Sequence, residues 1–161
     1  MADLYIDADA CPVKEETYRV AKRHGLHVFL VAHTPMRAPE REWITHMHLS
    51  AGPDAADDWI AEHIQPGDIC ITTDIPLAHR CIQKGALALG PKGRPFSEDS
   101  IGEVLAMRDL LTHLRDRGEI TGGPAPFTKR DRSRFLSALH EMIVKLQRQS
   151  LAKPPDESDG L

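Results

Sequence analysis

A chain of 161 residues suits a single domain, because at that length roughly two-thirds of the unfolded surface is buried on folding without help from disulfides or a structural metal. Its 41% hydrophobic and 27% charged content is that of a soluble globular protein, and no apolar run approaches the ~18 residues of a membrane span, so a transmembrane helix is excluded. The net charge of −4 is uneven: residues 1–100 hold 10 basic and 15 acidic side chains, whereas residues 101–150 hold 9 basic and 6 acidic, a modest basic segment of the kind used on polyanions and equally of the kind found on any solvated helix.

The opening Met-Ala-Asp, with Asp7 and Asp9 close behind, lacks the features of a signal peptide. Leu4-Tyr5-Ile6 reads as a buried strand ending in Asp7-Ala8-Asp9-Ala10-Cys11-Pro12, with Pro12 in the first turn of a helix. Val13, Thr17, Val20, Ala21 and His24 recur at helical spacing until Gly25 supplies the stop. His27 to Ala32 is a second strand, rich in β-branched and aromatic residues, and His33 to Pro39, with two prolines, is loop. Ile44 to Leu49 alternates imperfectly as a third strand. Asp54, after Gly52-Pro53, is placed to cap a helix running to about Ile64. Past the turn Pro66-Gly67-Asp68, Ile69 to Thr73 is a buried strand ending in Asp74; Pro76 opens a helix through Lys84, closed by Gly85, and Ala86 to Leu89 is the last strand. Five short strands alternating with helices predict an α/β fold, a Rossmann-like parallel sheet with helices on both faces.

Beyond the sheet, Gly90-Pro91-Lys92-Gly93-Arg94-Pro95 is loop, and Glu98 to Arg117 is an amphipathic helix with Ile101, Val104, Leu105, Leu111 and Leu114 on one face. After the turn Thr121-Gly122-Gly123-Pro124, Thr128 and Asp131 form a capping box for a final helix whose stripe is Phe135, Leu136, Leu139, Met142, Ile143 and Leu146. The domain is thus expected over residues 1–149, with a disordered polar tail over 150–161. The three cysteines lack a C-x-x-C spacing and fit buried thiols in a reducing cytoplasm.

A parallel sheet points all its carboxyl ends at one edge, where ligands bind. Asp7 and Asp9 follow the first strand and Asp74 the fourth. Asp57 shares a helix face with Ile60 and Ile64 and looks toward the sheet, whereas Asp58 looks outward. Two carboxylates about 4 Å apart repel by roughly 4 kcal/mol at an effective dielectric of ~20, a cost that a hard cation such as Mg²⁺ or Mn²⁺ offsets. Each acid also has a plain explanation: Asp54 and Asp74 as helix caps, Asp9 likewise before Pro12, and Asp57 as an acid near a helix N-terminus. Asp7, directly behind a buried strand, fits that explanation least. Lys92 and Arg94 suit a phosphate grip or a solvated turn; Arg37 falls at the same edge; Lys129, Arg130, Arg132 and Arg134 suit a nucleic-acid backbone or a charged helix surface. His46 and His48 alternate on the third strand, with edge exposure the simpler reading. No G-x-S-x-G elbow or P-loop is present, which argues against a serine hydrolase and a P-loop NTPase.

The stretches Tyr5 to Pro12, Gly52 to Asp57, Ile71-Thr72-Thr73-Asp74-Ile75-Pro76-Leu77-Ala78 and Thr121 to Pro124, with Lys129-Arg130-Asp131-Arg132 before the last helix, resemble the bacterial YaiI/YqxD family in order and spacing across about residues 3–148. The resemblance implies a sheet and acidic edge like those of PIN-like nucleases, with extra C-terminal helices. It further implies metal-dependent phosphodiester cleavage, with Asp7, Asp57 and Asp74 on the acidic positions and Asp9 an additional carboxylate. The expectation is therefore a phosphodiesterase acting on single-stranded RNA, with Asp7, Asp57 and Asp74 holding Mg²⁺ or Mn²⁺. Asp7, Asp9 and Asp74 carry the catalysis, Asp9 by orienting water, while Arg37, Lys92, Arg94, Arg130 and Arg132 hold phosphates. Two alternatives stay open. Asp7-Ala8-Asp9 also looks like the nucleophile motif of haloacid-dehalogenase-type phosphatases, with Asp7 attacking phosphorus and Thr72 or Thr73 and Lys84 assisting. The other is an RNA-binding or scaffold module without turnover.

Overall fold

The computed structural model describes residues 2–9, 11–102, 107, 110 and 126–152. Its five strands are β1 (Leu4–Asp7), β2 (Val28–Ala32), β3 (Ile44–His48), β4 (Ile69–Ile71) and β5 (Leu87–Leu89), all parallel, in the order β3-β2-β1-β4-β5. The helices with complete bounds are α1 (Lys14–His24), α2 (Pro53–His63), α3 (Ile75–Gln83) and α4 (Lys129–Ala152). Inner strands buried on both faces explain the unbroken apolar runs of β1, β2 and β4.

Strand alternation sorts these residues into two cores. Leu4, Ile6, Val28, Leu30, Ile69, Ile71 and Leu89 face α1 and α4, meeting Val20, Ala21, Phe135, Leu139 and Ile143. Tyr5, Val31 and Cys70 face α2 and α3, meeting Ala56, Ile60, Ile64, Leu77 and Cys81. Helices thus lie on both faces, as the sequence pattern predicts. Each fully buried Leu, Ile or Phe contributes about 1.5–3 kcal/mol, so the stripe Phe135-Leu139-Ile143 is enough to dock α4.

Several element boundaries differ from expectation. Pro12 lies outside α1, whose cap position is Val13. Gly25 closes α1 at φ 67°. Asp54 does not cap α2: Gly52 occupies that position and Pro53 is already helical, so Asp54 sits in the first turn, where its charge still favours the helix dipole. The box at α4 forms in both directions, Asp131 N–H donating to Thr128 Oγ1 at 3.1 Å and Thr128 N–H to Asp131 Oδ2 at 2.9 Å. α4 continues to Ala152, three residues into the segment expected to be tail; residues 153–161 lie outside the described residues. Residues 98–102, 107 and 110 are helical, while the rest of the helix expected to Arg117, and the turn Thr121 to Pro124, also lie outside them. Among the described residues no helix is long and apolar enough to cross a membrane.

The strand order decides where a ligand can sit. From β1 the chain winds outward through β2 to β3, then returns to lay β4 on the other side of β1 and β5 beyond it. Winding therefore reverses between β1 and β4, and the crevice outside their carboxyl ends is the ligand-binding position of open α/β sheets.

Candidate active site at the carboxyl edge

Asp7 is the last residue of β1, and Thr72 to Asp74 follow β4, so the reversal of winding brings them together. Thr72 joins them. Its hydroxyl donates to Asp7 Oδ2 at 2.8 Å, and the same oxygen accepts from the Asp74 N–H at 2.9 Å. Asp74 Oδ1 accepts from the Leu77 N–H at 2.8 Å and caps α3, so the plain explanation of this acid holds alongside its place at the edge. Among the described residues no hydrogen bond ends on Asp7 Oδ1, on Asp74 Oδ2 or on either oxygen of Asp57.

Asp57, on the inward face of α2, completes the acidic neighbourhood. Burial first, then the charges of Asp7 and Asp74, push its carboxyl up to about 6. Asp7 is raised as well, by burial and by Asp74 and Asp9, against the lowering bond from Thr72. Asp58 points outward as expected and pairs with Arg80 at 2.8 Å in solvent. The donor types present, three carboxylates with unengaged oxygens, suit a hard dication such as Mg²⁺ or Mn²⁺. As placed, no three His, Cys, Asp or Glu side chains among the described residues stand close enough to grip an ion, so this is a repelling cluster and not a closed cage.

Asp9 has a different role from the one its spacing suggests. Oδ2 accepts from the His33 N–H at 2.9 Å and from His33 Nδ1 at 2.7 Å, and Oδ1 accepts from the Thr34 N–H at 3.2 Å and from its hydroxyl. Burial raises its pKa, but the bonds from Thr34 and His33 outweigh that and hold the carboxyl below the usual range. Both oxygens are engaged, so neither is placed to orient a water. His33 and Thr34 are the neighbours that the sequence reading passed over. A residue directly beyond β2 falls at the same edge by the rule that flagged Asp7, and that was the available signal.

Asp7, Asp9, Cys11, Ile71, Thr72, Thr73 and Pro91 line a narrow notch. The Cys11 thiol is pushed up to about 11, mainly by burial, which removes it as a nucleophile near neutral pH. Pro91 leads into a cleft of about 950 Å³ whose cations are Lys92, Arg94, Arg130 and Arg134, with Ser133 and Ser137 beside them. Gly93 makes this cleft possible. At φ 86° its missing Cβ would lie 2.7 Å from the backbone carbonyl of Arg134, so the 90–95 loop rests directly on α4.

Of the other expected phosphate holders, Arg132 is committed elsewhere: Nη1 donates to the Pro12 carbonyl at 2.8 Å and to Glu16 Oε1 at 3.1 Å, and the guanidinium lies over Phe127. It fastens α4 to α1. Arg37 lines a separate surface cleft with Cys11, Lys14, Glu16 and Arg132. Arg134, left out of the expected set of phosphate holders, is one of the basic cleft's four cations. His46 and His48 stack on the edge strand β3, with ring centroids 6.5 Å apart.

The phosphatase alternative requires Lys84 near Asp7. Lys84 instead follows the far end of α3, about 13 Å of helix away from the Asp74 cap, and its Nζ donates to the Ala61 and Glu62 carbonyls at 2.9 and 3.1 Å. Glu98 and Asp99 lie in a helix start and not behind a strand, so neither of the remaining parts is supplied.

A five-stranded parallel sheet with acids gathered where its winding reverses defines an α/β protein of Rossmann-like or PIN-like architecture. The chain belongs to the YaiI/YqxD family: the family model described as "Uncharacterized BCR, YaiI/YqxD family" matches residues 5–145. It is similar to the UPF0178 protein of Rhodopseudomonas palustris (strain HaA2), 56% identical over 151 residues, covering 94% of this chain and 92% of the relative. The UPF0178 protein of Bradyrhizobium sp. (strain ORS 278) is 56% identical over 155 residues, 96% and 94% of the two chains. That of Paramagnetospirillum magneticum (strain ATCC 700264 / AMB-1) is 56% identical over 148 residues, 92% and 98%. No solved structure matches the chain.

Proposed function

We propose that this protein is a divalent-metal-dependent phosphodiesterase acting on single-stranded RNA in a reducing cytoplasm. The observation that carries the reading is the meeting of Asp7, Asp57 and Asp74 at the reversal of winding, with two of the three carboxyls raised by burial and mutual charge. Such a cluster is relieved by a cation, and Asp7, Asp57 and Asp74 are the residues that would hold Mg²⁺ or Mn²⁺. When bound, the ion supplies charge neutralisation at phosphorus and an acidified water. Thr72 fixes the rotamer of Asp7 and couples it to the start of α3. Lys92 follows the notch residue Pro91 in the chain, and Lys92, Arg94, Arg130 and Arg134 would retain the strand by its phosphates.

The test is cleavage of a short single-stranded RNA, and of the matching DNA, with Mg²⁺ or Mn²⁺. Native protein should cut the RNA, and folded Asp7→Asn and Asp74→Asn should fall at least a hundredfold. Equal trace activity in native protein and variants would identify a contaminant and remove the assignment.

A second reading, an RNA-binding module without turnover, is favoured by the size of the basic cleft beside so narrow a notch. Metal-independent RNA binding that survives Asp7→Asn and is lost in an Arg130→Gln, Arg134→Gln double variant, with no cleavage by native protein, would select it.

A further inference from the structure

We propose that Asp9 and His33 form a carboxylate–imidazole dyad in which His33 Nε2 accepts the proton of the attacking water and Asp9 is the positioning residue. The inference rests on the phosphodiesterase reading above. Its basis is geometric. Both Asp9 oxygens already accept backbone N–H groups, from His33 and Thr34, so Asp9 stands as an acceptor and the 2.7 Å contact between His33 Nδ1 and Asp9 Oδ2 puts the hydrogen on Nδ1. In the neutral ring Nε2 is then the bare nitrogen, the reverse of the tautomer that free imidazole prefers, and the second ring nitrogen is set by the first one's partner. Nε2 makes no hydrogen bond among the described residues, and the side chain keeps 29% of its exposure, so the lone pair is reachable by water.

The backbone that carries the ring is also held in place. The backbone N–H groups of His33 and Thr34 both donate to Asp9, and His48 Nε2 lies 3.2 Å from the His33 carbonyl. Both loops leave neighbouring strands at the same edge, because β1 and β2 are paired up to Asp7 and Val31 and Ala8 N–H extends the ladder to the Val31 carbonyl at 2.8 Å. The ionisable groups that face this imidazole are therefore Asp9 from the β1–α1 loop, His48 from β3 and, farther away, Asp7, whose carboxyl feels the charge of His33.

In the step assigned to the dyad, the water oxygen forms a bond to phosphorus while one of its protons passes to His33 Nε2. The bond from phosphorus to the departing ribose oxygen breaks, and that oxygen keeps the electron pair and takes a proton from solvent. One product ends in a phosphate monoester and the other in a hydroxyl. The imidazolium then returns its proton to solvent.

Two measurements test this on the full chain. In metal-free protein at about pH 8, ¹⁵N–¹H correlation spectra of the histidine rings should show His33 with Nδ1 protonated and Nε2 bare. A His33 signal with Nε2 protonated overturns the dyad whatever the activity. With Mn²⁺ present, general-base loss is worth about 10²–10⁴-fold. His33→Gln should lower kcat by at least a hundredfold, leave KM for the RNA within threefold and keep the native melting temperature. Asp9→Asn should lower kcat less and shift the His33 tautomer. Native cleavage with His33→Gln within twofold refutes the dyad alone and leaves a loop staple. No cleavage by native protein refutes the phosphodiesterase reading, and the base role with it.

Discussion

At the ends of β1 and β4, Asp7, Thr72 and Asp74 are bound to one another through hydrogen bonds of 2.8 and 2.9 Å, with the half-buried Asp57 within reach of their charge; along the basic cleft, Lys92, Arg94, Arg130 and Arg134 are exposed and bond to nothing among the described residues. The acids are positioned by strand ends and a helix cap, so their geometry is set by the sheet, and their partial burial leaves their repulsion only partly screened. The cations are flexible, well hydrated and individually weak, as exposed charges are. The first region is suited to chemistry at one point, the second to retaining a polymer of phosphates by addition of small terms.

The largest expected effect tests whether the two regions share one scaffold. Gly93→Ala forces a left-handed backbone on alanine and drives its Cβ into the Arg134 backbone, a cost of about 3 kcal/mol from the conformational and overpacking penalties together. Chemical denaturation should show that loss, and RNA binding should fall with it; a variant with native stability would mean that the loop does not rest on α4. Next, Mn²⁺ at a hundred times its Kd should add about 2.7 kcal/mol of stability, read as a rise in melting temperature that Asp7→Asn removes. An unchanged melting curve at millimolar Mn²⁺ would break the contrast by leaving the acids without a cation.

Neutralising the cleft should give a smaller and differently shaped response. Arg130→Gln with Arg134→Gln should weaken RNA binding about tenfold and reduce the salt dependence by a slope of about 1.4, at about 0.7 per lost contact on a single strand. Filter binding across salt concentrations measures both, and an unaltered slope would place the RNA elsewhere.

The smallest effect is a gain. Asp57 has a folded-state pKa of about 6, above its ordinary 3.8, so the folded protein holds this proton more tightly than the unfolded chain does. That contribution is complete below about pH 4 and is lost as pH rises through 6, leaving an unfavourable charge in the folded state. Asp57→Asn should therefore stabilise the metal-free protein at pH 8, by about 1 kcal/mol once solvent screening is allowed for, and the gain should shrink toward zero near pH 4. Urea titrations at the two pH values read this directly; a loss of stability at pH 8 would show Asp57 to be structurally engaged.

How far the sequence carries depends on the range of the interaction. Asp74 as a cap and as an edge acid, the Thr128–Asp131 box and the inward face of Asp57 follow from spacings of three or four residues, and local periodicity reveals them. The five strands were legible from short apolar runs, and their adjacency was not, because β1 neighbours β4 only after two intervening strands have been laid on the other side. Asp9 looked like an active carboxylate because its partners lie 24 and 25 residues on and meet it only through the β1–β2 register. Arg132 looked like a phosphate contact for the same reason, since Pro12 lies 120 residues away. Family resemblance supplied the chain's class and an acidic edge, and left the division of labour among its carboxylates to be read from geometry.

Arg132 and the Phe135-Leu139-Ile143 stripe also set an order of assembly. The loop that carries Asp9 and Cys11 is pinned, and the apolar side of β1 roofed, by α4, a helix that leaves the ribosome long after β1 does. A nascent chain stalled before residue 128 would carry all the edge carboxylates yet present Leu4, Ile6 and Leu30 on a partly bare face. Chaperone capture of such stalled chains, released once α4 is appended, is the expected signature of a protein whose β1 is secured by a helix so far along the chain.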